Sequence, residues 1–190
     1  MKDEAFSRLF ILSKKHQELI GSHGYEHTER VIELCKFLGG KLNADMDVLI
    51  PAAILHDISR SKYKHAESGA IESKDILLNL GFDEQRVLQI CEAISTHSFS
   101  GGGEILSLEA KILSDADKLD ALGAIGIYRT AMYSCENLRP LTEFIAHFHE
   151  KLFKLKDMMY TDEARKIAEI RHEFMKKYLD RFLKELEFKV

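Results

Sequence analysis

Apolar residues recur along this chain at helical spacing, with no convincing run of the strict alternation that marks a half-buried strand. Phe6, Leu9, Phe10, Leu12 and Leu19 predict an amphipathic first helix between Asp3 and Ile20, closed by Gly21. Val31, Ile32, Leu34, Cys35 and Leu38 predict a second from Tyr25 to Leu42, with His27 in its first turn and Gly39-Gly40 and Asn43 marking the next break. A short helix capped by Asp45 or Asp47 then runs to His56-Asp57, with Pro51 in its early part, where a proline does least harm. From Ile50 to Ile58 this segment is apolar nearly all round, the pattern of a helix at the centre of a fold.

The chain from Ser59 to Lys64 is short, polar and basic, and leads into a helix from about His65 to Leu80 that Gly81 terminates. Val87, Ile90, Cys91 and Ile94 place another between Asp83 and His97, followed by the flexible composition Phe99-Ser100-Gly101-Gly102-Gly103. Leu108 to Cys135 is long and apolar, interrupted by Asp115, Asp117 and Asp120. Pro140 starts a helix reaching about Met159, and Thr161 or Asp162 caps a last one to about Leu186. The expected fold is all-α, a single-domain irregular bundle of roughly seven to nine helices. Residues from about 23 to 135 would form its core, with helices over 140–188 packed on it.

Composition narrows the class. The 190 residues suffice for one substantial core, and 45% apolar with 31% charged residues is ordinary for a globular protein. A net charge of -4 supplies no basic footprint for duplex nucleic acid. Cys35, Cys91 and Cys135 read as reduced core thiols. No apolar run approaches the length of a membrane span and no signal-peptide profile is seen, so a cytoplasmic location is expected.

The candidate chemistry begins at Ala53-Ile54-Leu55-His56-Asp57, where a buried apolar segment ends in an imidazole and a carboxylate. Burying either without a partner costs several kcal/mol, on the order of 2–7 for a neutral polar group. A divalent metal ion would satisfy both, and His27 and Asp117 would complete the set on separate helices. Such oxygen and nitrogen donors suit manganese, iron, nickel and zinc. Two histidines and two aspartates leave open positions for water and substrate, so a bound cation would generate hydroxide and polarise a phosphoryl oxygen. Taken singly, a His-Asp pair is more often a hydrogen-bonded helix end, His27 a surface residue and Asp117 a partner of Arg129 or a backbone amide; their joint occurrence argues for metal.

These segments resemble the HD-domain superfamily of metal-dependent phosphohydrolases, roughly from His23 to the last helix. The likeness lies in His23-Gly24-Tyr25-Glu26-His27-Thr28-Glu29-Arg30-Val31, Leu55-His56-Asp57-Ile58, Ala93-Ile94-Ser95-Thr96-His97-Ser98-Phe99-Ser100 and Asp115-Ala116-Asp117-Lys118-Leu119-Asp120-Ala121-Leu122-Gly123-Ala124-Ile125-Gly126. It is similar to small stand-alone members, some of them nucleotide pyrophosphohydrolases. The resemblance implies an HD-type bundle in which His27, His56, Asp57 and Asp117 bind the metal, manganese first, with magnesium, nickel, cobalt, zinc or iron as alternatives. It implies that Lys118 contacts substrate phosphate, and that His65 and His97 contact phosphate or transfer a proton. Asp115 and Asp120 become supporting or packing residues. Some relatives carry an acidic residue shortly after the His-Asp pair, where this chain has Ile58-Ser59-Arg60-Ser61-Lys62, so the general base is His65, His97, Glu67 or none.

Arg60, Lys62 and Lys64 suit phosphate charge. His147, Lys151 and Lys154 fall at i, i+4 and i+7 and so share one helix face, which would offer Lys151 to a polyphosphate. The expected function is hydrolysis of a small phosphorylated substrate, most plausibly a nucleotide. The alternatives are a non-catalytic metal- and nucleotide-binding regulatory module and a dinuclear HD oxygenase. A homodimer through the stripes Phe144–Leu155 and Phe174–Leu186 is also possible.

Overall fold

Among the described residues there are nine α-helices and no strand, as the periodicity predicts. The structure is a computed structural model that describes residues 2–16, 21–59, 65–97 and 105–189. The helices are α1 (Lys2–His16), α2 (Tyr25–Leu42), α3 (Met46–Leu55), α4 (His65–Asn79), α5 (Glu84–Thr96), α6 (Leu108–Asp120), α7 (Gly123–Glu136), α8 (Leu141–Glu150) and α9 (Asp162–Leu186), with a 3-10 helix at Leu152–Met158. The chain divides into two compact units, residues 1–116 and 117–190, the division falling inside α6.

The first unit is built around α3. Every residue from Val48 to Ser59 is buried, so this helix meets neighbours on all sides. Asp45 is its cap, accepting from the Asp47 N–H at 2.9 Å. Pro51 sits at the middle of the helix rather than in its early part, as the preceding helical residues begin only at Met46. Helices α1, α2 and α5 pack on α3, and α4 packs on α5. The Ser13 hydroxyl of α1 donates to the Ile54 carbonyl at 2.7 Å, tying α1 to the end of α3 that carries the His-Asp pair. Asn43 closes α2 in the left-handed conformation, which asparagine tolerates better than most residues.

In the second unit, α7 packs on α8 and α9, and the 3-10 helix packs on α8 and α9. Two expected continuous stretches are broken here. Leu108–Cys135 becomes α6 and α7, because the chain turns at Ala121-Leu122 and Gly123 takes φ +75°, a conformation that glycine adopts without strain. Pro140–Met159 becomes α8 and the 3-10 helix, because Lys151 leaves helical geometry at φ -129°. Lys154 therefore does not continue the face of His147 and Lys151. Phe144, Phe148, Leu152 and Leu155 are buried, so that stripe is core, whereas Phe174, Leu183 and Leu186 are partly exposed on α9. No disulfide joins the three cysteines, and Cys135 is exposed rather than a core thiol. No described helix is long and apolar enough to cross a membrane.

The α6–α7 corner leaves no room for a side chain. A Cβ at Gly126 would stand 2.2 Å from the Ala121 carbonyl oxygen, a backbone atom that cannot swing aside. At Gly40, within α2, a Cβ would meet nothing within 4 Å. Gly126→Ala is expected to lose about 2 kcal/mol or more of stability, and Gly40→Ala to gain about 0.5–1 kcal/mol. Urea unfolding of the two variants beside the wild type checks both signs.

Candidate metal centre

Helix α3 stops at Leu55, and His56 follows as its C-cap in a tight turn where the Ile58 N–H donates to the Leu55 carbonyl at 3.1 Å. Helix α2 begins at Tyr25 and delivers His27 from its first turn. Both imidazoles and the Asp57 carboxylate are at most 2% exposed, three polar side chains drawn into the core at one point. His27 Nε2 lies 3.3 Å from His56 Nε2, and Asp57 Oδ2 lies 3.7 Å and 3.8 Å from those same nitrogens. The ring rotamer of His56 is fixed from behind by a 2.8 Å hydrogen bond from Nδ1 to the Ala53 carbonyl. Since a carbonyl only accepts, Nδ1 carries the proton and Nε2 is the ring nitrogen turned inward.

These three atoms fit a cation. For a triangle with sides near 3.6 Å, the equidistant point lies about 2.1 Å from each corner, the usual metal–nitrogen and metal–oxygen distance. His27, His56 and Asp57 are the group of buried metal-capable side chains found among the described residues. Of the expected four ligands, the first unit thus brings three together. Asp117 lies on α6 in the second unit and is half-buried.

The His97 ring stands edge-on to His56 at 5.3 Å between centroids, and the His23 ring edge-on to His27 at 6.1 Å. His97 is buried, and its Nδ1 donates to the Ile94 carbonyl at 2.5 Å, which directs the other ring nitrogen's lone pair away from its own helix. Ser114 of α6 donates to the His97 carbonyl at 2.6 Å and holds the end of α5 in place. His97 therefore lies beside the His-Asp pair. His65 opens α4. Arg60, Lys62 and Lys64, and the Phe99–Gly103 segment, lie outside the described residues.

Within the second unit, Lys118 is buried and its ammonium stands 5.0 Å from the centre of the Tyr160 ring. Arg129 pairs with Asp120 at 3.1 Å, so Asp120 is a packing carboxylate. Arg171 donates to the Leu119 carbonyl at 2.5 Å, and burial lowers its guanidinium pKa against the opposing effect of Asp120. Lys151 is exposed at the end of α8, and His147 one turn earlier is held below the ordinary histidine range by burial, then by Lys151 and Arg139. Two contacts escaped the sequence reading. Ser59 donates to Glu72 of α4 at 2.6 Å, and Tyr160 faces Lys118. The signal for Glu72 was its helical spacing from His65 and Gly69; nothing local marked Tyr160.

A cavity of about 450 Å³ in the first unit, lined by Phe6, Arg8, Asp47, Phe82 and Arg86 among others, contains none of these residues.

The HD-domain model matches residues 24–122, more than half of the chain. The chain belongs to the HD-domain family. A curated relative, the YpgQ protein of Bacillus subtilis, is 35% identical over 173 residues, covering 86% of this chain and 84% of its own. The crystal structure of B. subtilis YpgQ in complex with ADP superimposes with a TM-score of 0.81 at 31% identity, covering 97% of this chain and 95% of that one. A crystal structure of an HD-superfamily hydrolase from Bacillus thuringiensis matches with a TM-score of 0.80 at 30% identity, covering 98% and 99%. The all-α fold of this chain is thus that of HD-superfamily hydrolases.

A cation bound by the folded state alone must stabilise it. At a free concentration 100 times its dissociation constant the gain is about 2.7 kcal/mol, which for a chain of this size raises the melting temperature by roughly 5–10 °C. Manganese is expected to produce this shift in the chelator-stripped wild type and not in His56→Ala or Asp57→Asn, as differential scanning calorimetry checks.

Proposed function

We propose that this HD-family protein is a metal-dependent phosphohydrolase acting on a nucleotide or a closely related phosphate ester. The observation that carries the reading is the convergence of His27, His56 and Asp57 on one buried point at the end of α3. Membership of a family with hydrolase structures supports the reaction class, and the ADP complex of YpgQ supports a nucleotide as ligand.

In this reading Asp117 is the fourth ligand, and the chain is a single functional domain. The family model supports this, since it runs through residue 122 and so includes Asp117. The cation, manganese in the first instance, supplies Lewis acidity toward a phosphoryl oxygen and lowers the pKa of the water it binds. His27, His56, Asp57 and Asp117 hold it. Lys118 binds a phosphate oxygen, its ammonium already confined by burial and by the Tyr160 ring. His97 passes a proton from the side of α5 that faces His56, and His65 is a second candidate for that work. Arg60, Lys62 and Lys151 offset the remaining phosphate charge. The protein is proposed to act in the cytoplasm.

The decisive assay is a release screen with chelator-stripped protein, nucleoside mono-, di- and triphosphates, and manganese, magnesium, nickel, cobalt or zinc restored singly. Metal-dependent pyrophosphate from triphosphates, or orthophosphate from shorter nucleotides, is expected, and it should fall at least 100-fold in a folded Asp117→Ala variant. No release with any metal that binds would instead leave a regulatory nucleotide-binding module.

A further inference from the structure

The turn that carries Asp57 lies outside any helix, so its pose needs support from elsewhere. Between α3 and the undescribed residues that follow, the last described position is Ser59, two residues past Asp57 and 2% exposed. Its hydroxyl donates at 2.6 Å to Oε2 of Glu72, a half-buried residue of α4. That is the length of a hydrogen bond from a hydroxyl to an ionised carboxylate, stronger and more directional than a neutral one.

Helix α4 reaches this turn at close range. At Gly69, one turn before Glu72, a Cβ would lie 3.6 Å from the His56 carbonyl oxygen, 3.7 Å from Ile94 Cγ2 and 3.9 Å from Ile58 Cγ2. Residues 69 and 72 share a helix face, so the face that touches the His56 backbone is the one that presents Glu72. The two ligands of the dipeptide are thus steadied differently: the His56 ring by the Ala53 carbonyl, and the Asp57 end of the turn through Ser59.

We propose that Ser59 and Glu72 form a latch that positions the His56-Asp57 turn for metal binding. Glu72 acts through Ser59 and needs no contact with substrate. The latch rests on the metal reading above, and it supplies from α4 a carboxylate that the sequence directly after the His-Asp pair lacks.

The test is calorimetric titration of manganese into the chelator-stripped full chain, with the melting temperature of each metal-free variant taken alongside. Ser59→Ala and Glu72→Ala are each expected to weaken binding by about 10–100-fold, the usual effect of losing a partner behind a metal ligand. The double variant should bind no more weakly than either single one, because both remove the same bond. Glu72→Gln, which keeps an acceptor oxygen, should stay closest to wild type. A fall in metal-free stability with an unchanged dissociation constant in Ser59→Ala would show a purely structural contact and overturn the latch. If Ser59→Ala does not fold, wild-type affinity in a folded Glu72→Ala overturns it equally. Absence of manganese binding in the wild type would overturn the metal reading itself.

Discussion

The constraint on which this molecule depends is the cost of burying His27, His56 and Asp57 together. Three groups that seek water are held within 3.8 Å of one another where almost no water reaches them. A buried carboxylate is tolerated only with compensation, and several kcal/mol are at stake for each ion even after relaxation. A cation at their common point would turn that liability into binding energy. The surrounding structure is arranged to keep it possible: α3 is enclosed on all sides, Ala53 orients one ring, and Ser13 fastens α1 to the same helix end.

Much of this was legible in the sequence. An apolar run that ends in His-Asp announces a buried helix end with chemistry, and helical periodicity placed His27 at the start of α2. The caps Asp45 and Thr161 were each one of two candidates that local rules offered, because a cap is satisfied by its own next few residues. What failed were the two places where the chain leaves a helix for reasons that lie elsewhere. Nothing in the composition of Lys151 forbids a helix, yet the chain turns there into a 3-10 segment that packs on α8 and α9. The long apolar stretch around Gly123 did not announce that the helix would break there.

The polar contacts that refine the site were the least legible. Ser59 and Glu72 are 13 residues apart and meet only because α4 lies against the turn. Tyr160 reaches Lys118 from 42 positions along the chain, between the 3-10 helix and α9. In the second unit the last turn of α6 is gripped from two helices, by Arg171 on the Leu119 carbonyl and by Arg129 on Asp120. Asp117 and Lys118 are carried on that fixed turn. A residue with no local signal thus restricts the geometry of its neighbour.

The measurement that bears most directly on the central claim is a crystal structure of the protein grown with manganese, with anomalous scattering recorded at the manganese edge. The account predicts one anomalous peak bonded to His27 Nε2, His56 Nε2, Asp57 and Asp117 at about 2.0–2.2 Å. A peak held by other residues, or a manganese-saturated crystal with nothing between these four, would contradict it.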